Sequence, residues 1–178
     1  KNSPATPLQL FNQSMSQLYG NIFMALLRFA TKLAGFGICT SSSSTVINFQ
    51  LFIDDKPSDL VLLNDAFLRM ADSYFVTTKY SLAIDAYQSA LNLNKIELDY
   101  ATFQIAVSNG YLGQIENKIK GLNKVMDYKT SYLKDQALFE LANTFANQSK
   151  PTKAIQKYQE LISSYSSSAL VSKALLRK

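Results

Sequence analysis

The chain contains no histidine, no tryptophan and a single cysteine, Cys39, among its 178 residues. The absence of histidine removes the usual general base, the Ser-His-Asp and Cys-His catalytic arrangements and the commonest metal ligand. One cysteine excludes an internal disulfide and a cysteine metal cluster. We therefore expect a protein that is not an enzyme and that needs no cofactor or metal.

Acidic side chains do occur in near pairs, Asp54 with Asp55 and Glu97 with Asp99. Both pairs fall at predicted turns, where acidic residues commonly begin helices, so we interpret them as helix starts and not as catalytic carboxylates. No apolar run reaches the roughly 18 residues that a membrane-spanning helix needs. The sequence therefore predicts neither an acid-base site nor a transmembrane segment.

A spaced pattern of small and large apolar residues occurs twice, 71 positions apart, with a worn copy between the two. The first copy comprises Phe67, Met70, Ala71, Tyr74, Ala83, Tyr87 and Ala90, and the last comprises Leu138, Leu141, Ala142, Phe145, Ala154, Tyr158 and Leu161. The worn copy keeps Ala106, about midway between Ala71 and Ala142. A repeat of about 34 residues built from two helices is typical of a solenoid.

Within each copy the apolar residues recur with the i, i+3, i+4, i+7 spacing of amphipathic helices. This spacing predicts helices over 67–76, 82–93, 138–147 and 153–164. Ala71 and Ala142 are expected where two helices cross most closely, whereas Ala86 is expected on the exposed side. One hairpin cannot bury both of its faces, so the hairpins should stack.

These residues resemble the tetratricopeptide repeat (TPR) family, whose helix A carries a large residue, a leucine, a small residue and an aromatic, and whose helix B carries alanine, aromatic and alanine. The resemblance implies an all-α fold, a right-handed α-solenoid of stacked helical hairpins (a TPR superhelix). The middle copy is degenerate, with Thr102, Asn109 and Lys118 at three of the seven positions.

The pattern predicts one TPR-like solenoid over 1–178. Its parts are degenerate N-terminal repeats over 7–57 with an irregular loop at 35–45, a repeat over 64–97, a degenerate repeat over 98–130, a repeat over 135–168 and the truncated start of another over 169–178. The glycines and serines of the loop fit an inserted flexible segment, or a local irregularity of the sequence within 24–44. The missing initiator methionine and the half-finished last repeat predict a fragment of a longer protein.

Stacked hairpins offer an inner groove lined by the first helix of each repeat. The predicted partner-binding groove comprises Asp65, Leu68, Asp72, Phe103, Val107, Gln136, Phe139 and Asn143. Leu68, Phe103 and Phe139 share one register, so they should form a partly exposed apolar strip. Such a groove suits an extended peptide or a partner helix from another protein. Alternatively, some of the aromatic side chains pack against neighbouring repeats.

The net charge of +5 leaves a second hypothesis open, binding of a polyanion or nucleic acid through a lysine-rich face that includes Lys118, Lys120 and Lys124. Arginine makes the bidentate contacts of nucleic-acid recognition, and only Arg69 lies inside the secure repeats. Nucleic acid is therefore disfavoured, and a solvated outer face is the preferred interpretation. A third hypothesis is a subunit of an enzyme whose catalytic part lies elsewhere.

Two TPR subclasses can be compared residue by residue. Co-chaperones clamp an acidic peptide terminus with lysine and asparagine, and of the corresponding positions only Asn143 fits. Residues 135–178 are similar to bacterial cell-envelope TPR proteins, such as the outer-membrane assembly lipoprotein and the Tol-Pal coordinator. That resemblance implies a periplasmic or cell-envelope scaffold, with a cytoplasmic scaffold as the alternative and with any membrane association made through parts outside this chain.

Overall fold

The computed structural model describes residues 42–178, and these residues form eight α-helices. The helices are α1 (Ser42–Asp54), α2 (Leu60–Val76), α3 (Tyr80–Leu93), α4 (Leu98–Tyr111), α5 (Ile115–Asp127), α6 (Lys134–Asn147), α7 (Pro151–Ser164) and α8 (Val171–Arg177). Each helix packs mainly against its neighbours in sequence, so that α2 with α3, α4 with α5 and α6 with α7 make three stacked hairpins. The predicted fold class, an all-α solenoid of TPR type, is confirmed.

The helix boundaries follow from local chemistry. Asp59 precedes α2, and its side-chain oxygen accepts hydrogen bonds from the backbone N–H groups of Val61 and Leu62 at 2.9 and 3.2 Å, which satisfies donors that the first turn leaves free. This cap starts α2 before the predicted repeat boundary at 64. Asn94 ends α3 in the left-handed conformation with φ of 54°, and Pro151 occupies the first turn of α7, where its missing N–H costs nothing.

Small residues occupy the helix crossings. Ala71, Ala106 and Ala142 are each completely buried, as the spacing predicted for the first and the last of them. A Cβ atom added to Gly121 of α5 would lie 2.7 Å from the Cβ of Ala106 in α4, which shows how closely these two helices approach. Ala86 is only 4% exposed. The expectation that it is exposed is wrong, because its side of α3 also packs into the first core cluster.

The predicted irregular loop at 35–45 is wrong at its C-terminal end. Helix α1 begins at Ser42, so residues 42–45 are helical, consistent with the preference of serine for the start of helices. The remainder of that loop, Cys39 and the predicted repeats before position 42 lie outside the described residues.

Within 42–178 no helix combines the length and apolarity that crossing a membrane requires. The same residues include no group of three or more cysteine, aspartate or glutamate side chains placed to hold a metal ion.

Candidate functional site: the helix-A groove

The first helices of the three hairpins, α2, α4 and α6, carry the predicted groove residues at equivalent positions. Leu68 on α2 is completely buried in the first core cluster. The prediction that Leu68, Phe103 and Phe139 form a continuous exposed strip is therefore wrong at Leu68. The helical spacing gave the direction of this side chain correctly relative to Phe103 and Phe139, but not the neighbours that cover it.

The two aromatic residues of the register combine core and surface roles. Phe103 is half-buried against the cluster that includes Ala106 and Leu122. Phe139 is half-buried in the next cluster, where its ring meets that of Tyr158 edge to face at 5.9 Å. Between these rings Val107 is half-buried and Gln136 is exposed. The groove surface is thus supplied by partly covered rings and by polar residues beside them.

Asp72 joins three helices through its carboxylate. The hydroxyl groups of Tyr87 on α3 and Tyr100 on α4 donate hydrogen bonds to its Oδ1 at 2.6 and 2.7 Å. Burial and the bond to Asp72 raise the pKa of Tyr100 to about 12, and the pKa of Tyr87 is raised by the same causes. The phenols therefore remain protonated donors, and they fix the position of Asp72.

Arg69 lies at the centre of three carboxylates. Its guanidinium nitrogens lie 3.1 Å from Asp65 Oδ1, 3.0 Å from Asp72 Oδ2 and 3.4 Å from Glu97 Oε2. We call Asp65, Asp72 and Glu97 around Arg69 the acidic cluster. Burial raises the pKa of Asp65, and although Arg69 opposes this shift, the charges of Glu97 and Asp72 add to it. One guanidinium thus only partly neutralises the three carboxylates.

Asn143 on α6 occupies the position equivalent to Asp72, and it also accepts a tyrosine hydroxyl. Tyr158 donates to Asn143 Oδ1 at 2.7 Å, as Tyr87 does to Asp72. Arg177, from α8, donates to the same oxygen at 2.6 Å. The Arg177 guanidinium also lies over the Phe139 ring, 5.3 Å from its centroid. Phe139 and Asn143 together therefore bind a guanidinium that arrives from another helix.

Sequence reasoning missed Arg69, Glu97, Tyr100 and Arg177 as members of this surface. A signal for part of it was present, since the 71-residue offset that relates Tyr87 to Tyr158 also relates Asp72 to Asn143. Two tyrosines facing two oxygen acceptors in one register predict two equivalent hydrogen bonds. The contacts of Arg69 with Glu97 and of Arg177 with Asn143 cross between hairpins, so the pattern within one repeat does not reveal them.

The lysine-rich face is less uniform than predicted. Lys120 and Lys124 are exposed. Lys118 is instead mostly buried, and its Nζ lies 2.7 Å from Glu140 Oε2 on α6. Its aliphatic chain crosses Gly110, where an added Cβ would lie 2.7 Å from Lys118 Cδ. Lys118 is therefore part of the contact between hairpins and not of a free basic surface.

Comparison with known proteins supports the repeat assignment. Residues 65–94 and 136–168 match the Tetratricopeptide repeat family. These segments coincide with the two well-formed copies and leave out the degenerate one between them. No curated protein matches the chain.

The fold is also similar to that of solved structures of MamA. One crystal structure of MamA superposes with a TM-score of 0.56 at 16% sequence identity, covering 74% of this chain and 81% of that one. A second, of MamA protein, gives a TM-score of 0.60 at 15% identity, with 88% and 86% covered. At this identity the likeness shows a shared fold alone.

Proposed function

We propose that this chain is a non-enzymatic scaffold that binds a protein partner, as an extended peptide or as a helix, in the groove lined by α2, α4 and α6. Stacked repeats present an extended inner surface of this kind, and proteins commonly recognise peptides and helices through a few apolar anchors with polar contacts beside them. The repeat matches support the scaffold role.

The observation that carries the groove assignment is the docking of Arg177. A side chain from α8 lies over Phe139 and donates to Asn143, both of them predicted groove residues. These residues thus already contact a helix that is not part of their own hairpin. A partner helix that lies along the same face would find equivalent positions at Phe103 and Val107 on α4.

We further propose that the scaffold acts in the cell envelope, in the periplasm. Support comes from the similarity of residues 135–178 to cell-envelope TPR proteins. Expression of the full-length protein from its own gene, followed by separation of periplasm, membrane and cytoplasm, tests this setting. Recovery in the cytoplasm alone would show the alternative scaffold setting to be correct.

The groove is tested with a fluorescent helical peptide that carries two leucine anchors one turn apart, measured by anisotropy. Val107→Asp and Gln136→Glu place charge in the groove at positions outside the main core, whereas serine at Phe103 or Phe139 would also remove core packing. We expect these two changes to weaken peptide binding at unchanged helicity. Lys120→Glu with Lys124→Glu, on exposed residues of α5, is the matched control.

The opposite result would favour the polyanion hypothesis. Loss of binding in the lysine double variant, with the groove variants unaffected, would contradict groove binding. A heparin titration separates the two further, because polyanion binding weakens steeply as salt is added and contact with apolar anchors does not.

A further inference from the structure

The acidic cluster carries more negative charge than its own residues neutralise. Three carboxylates surround the single guanidinium of Arg69, and a fourth, Asp99, lies in the first turn of α4. This concentration stands out in a chain whose net charge is +5. A cationic group is the ligand that such a surface favours.

Two carboxylates in the cluster keep an oxygen with no assigned partner. Asp65 is only 7% exposed, and among residues 42–178 its Oδ2 has no hydrogen-bond partner. Arg69 Nε is also buried without a partner there, so internal pairing is incomplete. Glu97 contacts Arg69 through Oε2 alone, and 40% of its side chain is exposed. Because unpaired buried oxygens are costly, an added donor would stabilise this arrangement.

An aromatic ring lies at the edge of the cluster. Tyr132, in the turn before α6, is 70% exposed. Burial of its hydroxyl raises the pKa of Tyr132, and the charges of Glu97 and Asp99 raise it further, which places the phenol near these carboxylates. An exposed ring beside carboxylates favours a guanidinium, since this group stacks on aromatic faces while it donates to two oxygens at once.

The molecule already contains one contact of this type. Arg177 combines a ring, Phe139, with an oxygen acceptor, Asn143, on α6. On α2 the position equivalent to Asn143 is the carboxylate Asp72, at the centre of the acidic cluster. Charge makes the first-hairpin version the stronger acceptor of the two.

We propose that the acidic cluster, with Tyr132 at its edge, binds an arginine side chain of the protein partner. The inference rests on the proposed groove function and adds to it the chemistry of one partner residue. A guanidinium would bridge Glu97 and the Tyr132 ring. The space between the carboxylates that a bare metal ion would take is already filled by Arg69.

The test uses the full chain and two versions of the fluorescent leucine-anchored peptide, one with a central arginine and one with citrulline, its neutral isostere. We expect the arginine peptide to bind at least about tenfold more tightly, the range of a charge-assisted hydrogen bond. Glu97→Gln should remove most of that preference. Glu116→Gln, on exposed Glu116 in α5, should leave the preference unchanged, and circular dichroism would verify that both variants fold.

The outcomes separate this inference from the function on which it rests. Equal binding of the two peptides, or a preference that survives Glu97→Gln, would overturn the arginine site and leave groove binding intact. Failure of both peptides to bind would overturn both proposals. A preference that narrows with added salt in the wild type, but not in Glu97→Gln, would support the site.

Discussion

Lys118 and Glu140 form an ion pair of 2.7 Å that joins the second hairpin to the third. Lys118 occupies the position at which the well-formed repeats have the small residues Ala83 and Ala154. The long side chain fits because Gly110 leaves space for it on α4. The degenerate repeat has thus replaced close packing of small residues by a charged contact.

A double-mutant cycle with Lys118→Met and Glu140→Gln should give a coupling free energy of about 1 kcal/mol. Partial burial of Lys118 reduces the screening that weakens exposed pairs. The matched control is the pair Lys157 and Glu160, 2.8 Å apart within α7, for which about 0.3–0.5 kcal/mol is expected. Urea unfolding measures both, and a coupling no larger than that of the control would show that Lys118 adds nothing to hairpin stacking.

Gly121→Ala should destabilise the chain by about 1–3 kcal/mol through overpacking, although alanine is the better helix former. The new methyl group would lie 2.7 Å from the Cβ of Ala106 and 3.3 Å from its Cα, so the backbone would have to move. Ala106→Gly in the same chain should restore much of the loss. Thermal unfolding of the single and double variants provides the measurement, and absence of this rescue would show that the loss has another cause.

Ala71→Leu and Ala142→Leu should each cost roughly 1–3 kcal/mol, because both alanines are completely buried at helix crossings. Ala86 cannot serve as the neutral control, since it is buried as well. Ala146, which is exposed near the end of α6, should tolerate leucine with a change below about 0.5 kcal/mol. Losses below that value at both buried positions would contradict the assigned repeat register.

Asp65 should make stability depend on pH in the direction opposite to a typical salt-bridged carboxylate. Its pKa in the folded chain is raised above the ordinary value of 3.8, so the native state holds a proton that the unfolded state has released. Between these two pKa values stability therefore increases as pH falls. The unfolding free energy of the wild type minus that of Asp65→Asn should rise as pH is lowered from neutral towards 4. A difference that falls or stays constant would contradict the raised pKa.

The sequence predicts the register of this solenoid well because close packing needs small residues at fixed intervals. Ala71 and Ala142 lie at crossings for that reason, and the hairpins follow from the same spacing. The groove was only partly predictable. Helical periodicity gives the direction of Leu68 but not what the neighbouring helices place over it. Contacts made by long side chains between hairpins, such as those of Lys118 and Arg177, have no fixed spacing along the chain.

The hydrogen bonds from Tyr87 and Tyr100 to Asp72 have a mechanical consequence. Tyr87 belongs to the same hairpin as Asp72, whereas Tyr100 belongs to the next one. Under tension along the solenoid these two hairpins should resist separation and open in a single step, since one carboxylate holds both phenols. A shorter extension step is expected after Tyr100→Phe. The elastic unit at this end of the described solenoid would then be a pair of repeats.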